Sequence, residues 1–275
     1  MDMPSFDSAR NCHIVRIVYD GPGMAGKTTN LQRICDVIPS SRRSELYTPA
    51  ELKGRTMFFD WLEIDGPSQN GQALKFQLIT VPGQVERAYR RKPLIEMADV
   101  VAFVCDSSPG QVSDTMRTFS RLRALMRRRK DKLPLIVQAN KQDVAGALSP
   151  DKLKKRLKLD ATVPVLPATA ASGGGVKETL MTAIRAGVHT LRDSRITPLA
   201  KAFANADALF DHVLSFEDTP NTDEVVDAEE LHIAAEDVDV ETAAAAAQLQ
   251  AASLDDLEAR ARRAVSRNRS HSTSK

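Results

Sequence analysis

A chain of 275 residues with 42% hydrophobic and 27% charged side chains has room for one large folded domain, or for one domain and an appendage. A formal net charge of +2 is too small to argue for nucleic acid or an anionic membrane surface, and 5% aromatics leave few platforms for base stacking. No apolar stretch approaches the roughly 20 residues that cross a bilayer. The first ten residues lack the apolar core of a secretory signal, and the final His-Ser-Thr-Ser-Lys carries no prenylation cysteine. Cys12, Cys35 and Cys105 are widely spaced in apolar surroundings, which reads as small buried hydrophobes in a reducing cytosol. The expectation is a cytoplasmic protein with neither nucleic acid nor direct membrane insertion in its function.

In chain order, apolar runs at 13–19, 57–64, 75–81, 100–105, 134–139 and 163–166 read as strands, rich in Val, Ile and Phe and bounded by Gly, Pro, Asp or Asn. Helical stretches lie between them. Residues 28–37 follow a glycine loop, and Met116, Phe119, Leu122 and Met126 share a face. Ser149-Pro150 supplies an N-cap and an N1 proline, while Val176, Leu180, Ile184 and Val188 stripe the last helix. Strands at 57–64 and 75–81 are joined only by DGPSQNG, too short for a crossover helix, so they should form a hairpin. The expected fold is α/β: a mostly parallel six-stranded sheet with one antiparallel strand and helices on both faces.

The expected domains are a lead over 1–11, a nucleotide-binding domain over 12–195 and an acidic linker over 196–240. An Ala-rich helix with a basic end follows over 241–275. Glu217–Glu241 crowds acidic residues without a Lys or Arg, a pattern of disorder, or of order only on a partner. The basic run RLRALMRRRKDK (121–132) reads as a solvated face, with anchoring of that acidic segment or of an acidic partner as the alternative.

After the first strand, Gly21-Pro22-Gly23-Met24-Ala25-Gly26-Lys27-Thr28 fits G-x-x-x-x-G-K-[ST]. Glycines let successive N–H groups, with Met24 and Ala25 among them, curl around an anion, and the helix that follows adds its dipole. Lys27 would reach the β- and γ-phosphates, Thr28 would hold Mg²⁺, and Thr29 would donate to the α-phosphate. At the end of another strand, Asn140-Lys141-Gln142-Asp143 fits N-K-x-D. Asp143 can accept two hydrogen bonds from guanine N1–H and its amine, donors that adenine lacks, so adenine would leave the carboxylate unpaired. Asn140 would tie this loop to the phosphate loop, and the Lys141 stem would lie against the base. Thr169-Ala170-Ala171 would complete the pocket, with the Ala170 N–H toward guanine O6. GTP or GDP with Mg²⁺ is therefore the expected ligand.

Residues 12–192 resemble the Ras-like small GTPases, and more closely the bacterial MglA family that sets cell polarity. GPGMAGKTTNLQRI, GRTMFFDWLEI, ITVPGQ and ANKQDVAGAL are each similar to that family's motifs, in the same order. The resemblance implies slow GTP hydrolysis stimulated by a roadblock-type partner of MglB kind. It implies that Thr56 closes on Mg²⁺ and the γ-phosphate while Arg55 acts in cis as a finger on the transition state. Gly83 would sense the γ-phosphate and Gln84 would orient the attacking water. Read alone, Arg55 is a surface residue, and Gln84 beside Glu86, Arg87, Arg90, Arg91 and Lys92 belongs to a solvated helix face.

Thr80, in LITVPGQ, stands where most Ras-like proteins carry the aspartate that holds Mg²⁺. A hydroxyl can bond a metal-bound water but brings no negative charge. The carboxylate expected to substitute is Asp60 on the adjoining strand, with Thr80 acting through water; a structural hydrogen bond at Asp60 is the alternative. The main reading is a GTP-hydrolysing switch regulating polarity or motility through effectors, engaged in part by the tail, with clustering at a cell pole by partner binding. The alternatives are a pseudo-GTPase scaffold and a P-loop ATPase or kinase.

Overall fold

All nine residues of strand β2 (Cys12–Asp20) are buried, as a strand covered on both faces requires. This computed structural model describes residues 5–48, 59–68, 72–81 and 91–193, which carry everything reported below. Arg55, Thr56, Gly83, Gln84 and all of 194–275 lie outside the described residues.

The strands are β1 (Ser5–Asp7), β2, β3 (Trp61–Asp65), β4 (Ala73–Thr80), β5 (Val100–Asp106), β6 (Leu135–Asn140) and β7 (Val165–Pro167). They form one sheet in the order β3-β4-β2-β5-β6-β7, with β1 attached to β2. β2 runs parallel to β4 and β5, and β5–β6 and β6–β7 are parallel pairs. β3 is antiparallel to β4, with Trp61 opposite Ile79, which is the expected hairpin.

The sheet has one strand more than the six expected. β1 pairs antiparallel with Cys12–Ile14, on the edge of β2 that β5 takes over only from Ile17 onward. Three residues with one apolar side chain carry no readable period. What holds them is local: Asp7 accepts the Ala9 and Arg10 N–H groups at 3.0 Å, closing the turn, and Arg10 bridges Asp7 to Glu63. The free edge of β3 is also covered. Tyr47 and Trp61 exchange two backbone bonds of 2.9 Å, and the Ser44 N–H donates to the Glu63 carbonyl.

The helices are α1 (Lys27–Val37), α2 (Arg91–Glu96), α3 (Val112–Arg128), α4 (Pro150–Arg156) and α5 (Val176–Asp193). Alternation along β5 shows how they divide. Val101, Phe103 and Cys105 pack with α2, α3 and α4 through Leu94, Phe119, Leu122 and Leu153. Val100, Ala102 and Val104 pack with α1 and α5 through Leu31, Ile34, Leu180 and Ala183. The period-2 strand and the 3.6-residue helix stripes meet in two cores on either side of the sheet. Ser149 caps α4 by accepting the Lys152 N–H, as its Ser-Pro start implies. Cys12 and Cys105 are buried and Cys35 is half-buried, and burial raises all three thiols, in keeping with inert cysteines.

Two charged readings change. Arg91, counted on a solvated helix face, is 4% exposed and ion-paired. Arg129, within the basic run, is folded inward: its guanidinium donates to the Ile95 and Glu96 carbonyls and pairs with Asp131, tying the end of α3 to α2.

Gly187 lies inside α5, where alanine normally favours a helix by about 1 kcal/mol. A Cβ here would stand 2.4 Å from Val15 Cγ1 and 3.3 Å from Val100 Cγ2, because the helix backbone lies directly on β2 and β5. Gly187→Ala should therefore lower stability by about 1–2 kcal/mol, since overpacking outweighs the helix gain. A higher urea midpoint for the variant would contradict this close packing.

Candidate nucleotide site

Three loops leave the carboxyl ends of neighbouring parallel strands, the usual position of a ligand crevice in an open α/β sheet. The first runs from Asp20 at the end of β2 to α1. Gly26 caps α1 at φ 101°, a left-handed conformation that side chains rarely adopt. A Cβ there would also fall 2.4 Å from the Asn140 Nδ2. No acidic residue lies in the first turn of α1 and no side chain caps it, an arrangement that suits an anion at its N-terminus. Lys27 is buried, and its Nζ donates to the Gly21 and Pro22 carbonyls at 2.8 and 2.7 Å. Burial lowers its pKa to about 8, against the raising effect of Asp20 and Asp60. Met24 stands at the loop tip with φ 61° and 89% exposure.

The second and third loops meet the first through Asn140, at the end of β6. Its Nδ2 donates to the Ala25 carbonyl at 2.7 Å, and its Oδ1 accepts the Ala170 N–H at 2.9 Å. That N–H, expected toward guanine O6, donates in this structure to Asn140. Lys141 takes φ 64° and its Nζ reaches the Asp106 carboxylate at 2.5 Å, which fixes its stem. Asp143 is exposed beyond it, while Thr169 and Ala171 flank Ala170.

Beneath these loops lies a polar layer that motif reading did not assign. Asn30 and Gln138 exchange two amide bonds of 2.9 Å, Gln138 also donates to Thr179, and Asn30 donates to the Gly26 carbonyl. All three side chains belong to fully buried residues, and together they bolt α1, β6 and α5. The available signal was a glutamine inside the apolar run LIVQAN, in a strand buried from both sides.

On the other side of Lys27 stands Asp60, 4% exposed and one register step beyond the Trp61–Ile79 pair, opposite Thr80. Its carboxylate accepts the hydroxyls of Thr28 at 2.6 Å, Thr48 at 2.9 Å and Thr80 at 3.0 Å. Thr80 Oγ1 in turn accepts the Asp60 N–H at 2.7 Å. A hairpin register therefore places the carboxylate of one strand where a threonine side chain on the next lacks one. This oxygen-rich donor set suits Mg²⁺, which takes one or two carboxylates and relies on phosphates and water for the rest. Thr48 and Arg91 were not foreseen. Arg91 Nε pairs with the fully buried Asp20 at 3.0 Å, linking the start of the phosphate loop to α2.

The model of the ADP-ribosylation factor family matches residues 6–185. The chain belongs to this family. As an Arf-family small GTPase it is 35% identical over 173 residues to the mutual gliding-motility protein MglA of Myxococcus xanthus (strain DK1622), covering 62% of this chain and 87% of MglA. It is 29% identical over 185 residues to human ADP-ribosylation factor-like protein 4A, covering 65% of this chain and 83% of that protein. It is a GTP-binding P-loop protein of the Ras/Arf type, similar to MglA, within a family that binds GTP or GDP with Mg²⁺. Among the described residues no helix of this GTPase is long and apolar enough to cross a membrane.

Lys27 gives the site a pH signature. In the free protein its proton leaves near pH 8, whereas phosphate oxygens beside it favour the charged form. Above that pH, nucleotide binding must take up a proton, so affinity should fall by up to about tenfold per pH unit. Calorimetry in buffers of different ionisation enthalpy, at about pH 9, reads the uptake directly; equal heats would refute the shift.

Proposed function

We propose that this GTPase is a nucleotide-timed switch of MglA type, whose GTP state binds effectors of polarity or motility and whose slow hydrolysis ends the signal. The observation that carries the reading is the Asn140 amide, which joins the base loop to the phosphate loop within one hydrogen bond. A site so built senses a guanine and a triphosphate together, which a phosphate loop alone does not.

In this reading Gly21, Gly23, Met24, Ala25, Gly26 and Thr29 cradle the phosphates through backbone N–H groups, and Lys27 neutralises the β- and γ-oxygens. Asp143 selects guanine by its two donors, and Lys141, Thr169, Ala170 and Ala171 wall the base. Thr28 and Thr56 would hold Mg²⁺, and Asp60, supported by Thr80, would supply the negative charge through a water. The ion would supply charge neutralisation between the β- and γ-phosphates. Gln84 orients the attacking water, Gly83 donates to the γ-phosphate, and Arg55 stabilises the charge that develops on the transferred group. An MglB-like roadblock partner stimulates the reaction by holding these switch residues in place. The protein acts in the cytoplasm, gathering at a cell pole through its partners.

Asp60→Ala should reduce Mg²⁺-dependent GTP retention by about 10–100-fold, the range seen when a group supporting a metal is lost. Nucleotide release measured across a magnesium titration gives the answer, and wild-type retention would move the charge elsewhere. Single-turnover hydrolysis with and without a roadblock partner tests the switch itself. A rate of zero in both would favour a scaffold that holds nucleotide permanently, and equal affinity for ATP and GTP would favour a kinase or ATPase.

A further inference from the structure

At the end of the sheet remote from the nucleotide loops, a groove of about 710 Å³ opens between α3, the start of β6 and the segment joining α4 to β7. Its apolar floor includes Phe119, Met126, Leu133, Leu159, Val163 and Pro164. β6 enters at Leu135 and ends at Asn140, so the groove and the base loop are separated by the strand's length, about 17 Å. The charged residues at the groove are Arg123, Arg127, Lys132 and Lys158 against Asp131 and Asp160. Asp131 is already paired with Arg129, and Arg123 lies over the Phe119 ring at 4.9 Å while donating to the Leu157 carbonyl. Arg127, Lys132 and Lys158 are exposed, so the groove is apolar below and cationic at its lip.

The chain itself leads to this place. Thr182 and Ala186 of α5 line the groove, and α5 ends at Asp193, about 10 Å further along the helix axis. From Ala202 to Ala259 the sequence holds no Lys or Arg. Residues 206–218 read ADALFDHVLSFED. At 100° per residue Leu209, Val213 and Phe216 fall on one side with Phe210 beside them, while Asp207, Asp211 and Asp218 fall together on the other. The twelve intervening residues, 194–205, span up to about 40 Å, ample for the return.

We propose that residues 206–218 dock in this groove within the same molecule, the apolar stripe on the floor and the aspartate row on the cationic lip. The site is separate from the nucleotide crevice. Docked there, residues 206–218 occupy the back of the domain and leave the nucleotide face open.

The test uses the full chain. A carbodiimide joins carboxylates to lysine amines only in direct contact, and mass spectrometry on a mixture of isotopically light and heavy protein separates links within one chain from links between two. Links from Lys132 or Lys158 to Asp207, Asp211 or Asp218, within one chain and weakening as salt shortens the reach of the charges, are the expected result. Leu209→Glu with Phe216→Glu should reduce these links about tenfold or more, since each replaces an apolar side chain of the proposed stripe by a charge. Exchanging the lip charges by Lys132→Glu with Lys158→Glu should expose the groove to hydrogen exchange to the same extent as the tail variant. Nucleotide release should be unchanged in both. Links found only between chains would instead indicate a second copy in the groove and overturn the proposal. So would links confined to lysines elsewhere, or the same groove protection in both variants as in wild type, or altered nucleotide release.

Discussion

One side-chain amide holds the site together. Asn140 donates to the carbonyl of Ala25 and accepts from the amide of Ala170, so the ends of β2, β6 and β7 are bound to each other through a single residue. The contact is close enough that position 26 must be glycine, since a methyl group there would overlap the amide nitrogen. Positive φ and close approach thus make the same demand at Gly26. The Asn30–Gln138–Thr179 layer repeats the connection one step deeper, from α1 through β6 to α5. Because these buried groups satisfy one another, moving one loop without the others would strand polar atoms away from water, at about 1–3 kcal/mol each.

The electrostatics of the crevice follow from what is buried there. Lys27, Asp20, Arg91 and Asp60 are all nearly inaccessible and lie within reach of one another's fields. Asp20 is neutralised by Arg91 rather than by Lys27, whose amine instead bonds two carbonyls of its own loop. The lysine is therefore available to an incoming phosphate. The cost of desolvating it appears as a lowered pKa. The Asp20–Arg91 pair also joins the start of the phosphate loop to α2 through one buried contact.

The Asp60 side of the site shows how a fold can relocate a charge. In an antiparallel pair, residues directly opposite sit on the same face of the sheet with their side chains close. Asp60 and Thr80 are such a pair, so a carboxylate on β3 points to nearly the same place as a side chain on β4. The Thr28 hydroxyl, bonded to Asp60 at 2.6 Å, marks that place as the start of α1 beside the glycine loop.

Much of this was legible in the residues alone. The phosphate and guanine motifs, the βα alternation and the hairpin at 65–71 follow from spacing and residue chemistry, because each depends on neighbours in sequence or on a regular period, whereas the candidacy of Asp60 came from the family resemblance at Thr80. β1 was not legible, since three residues have no period and their strand exists only because Asp7 closes a turn onto β2. Nor were the partners of Gln138, Arg91 and Arg129. Their side chains read as ordinary polar residues until the chain brings Asn30, Asp20 and the Ile95 carbonyl to meet them. Local sequence determines which loops can bind an anion or a base. Which polar groups are buried, and which therefore need a particular partner, is decided only where distant segments close around them and exclude water.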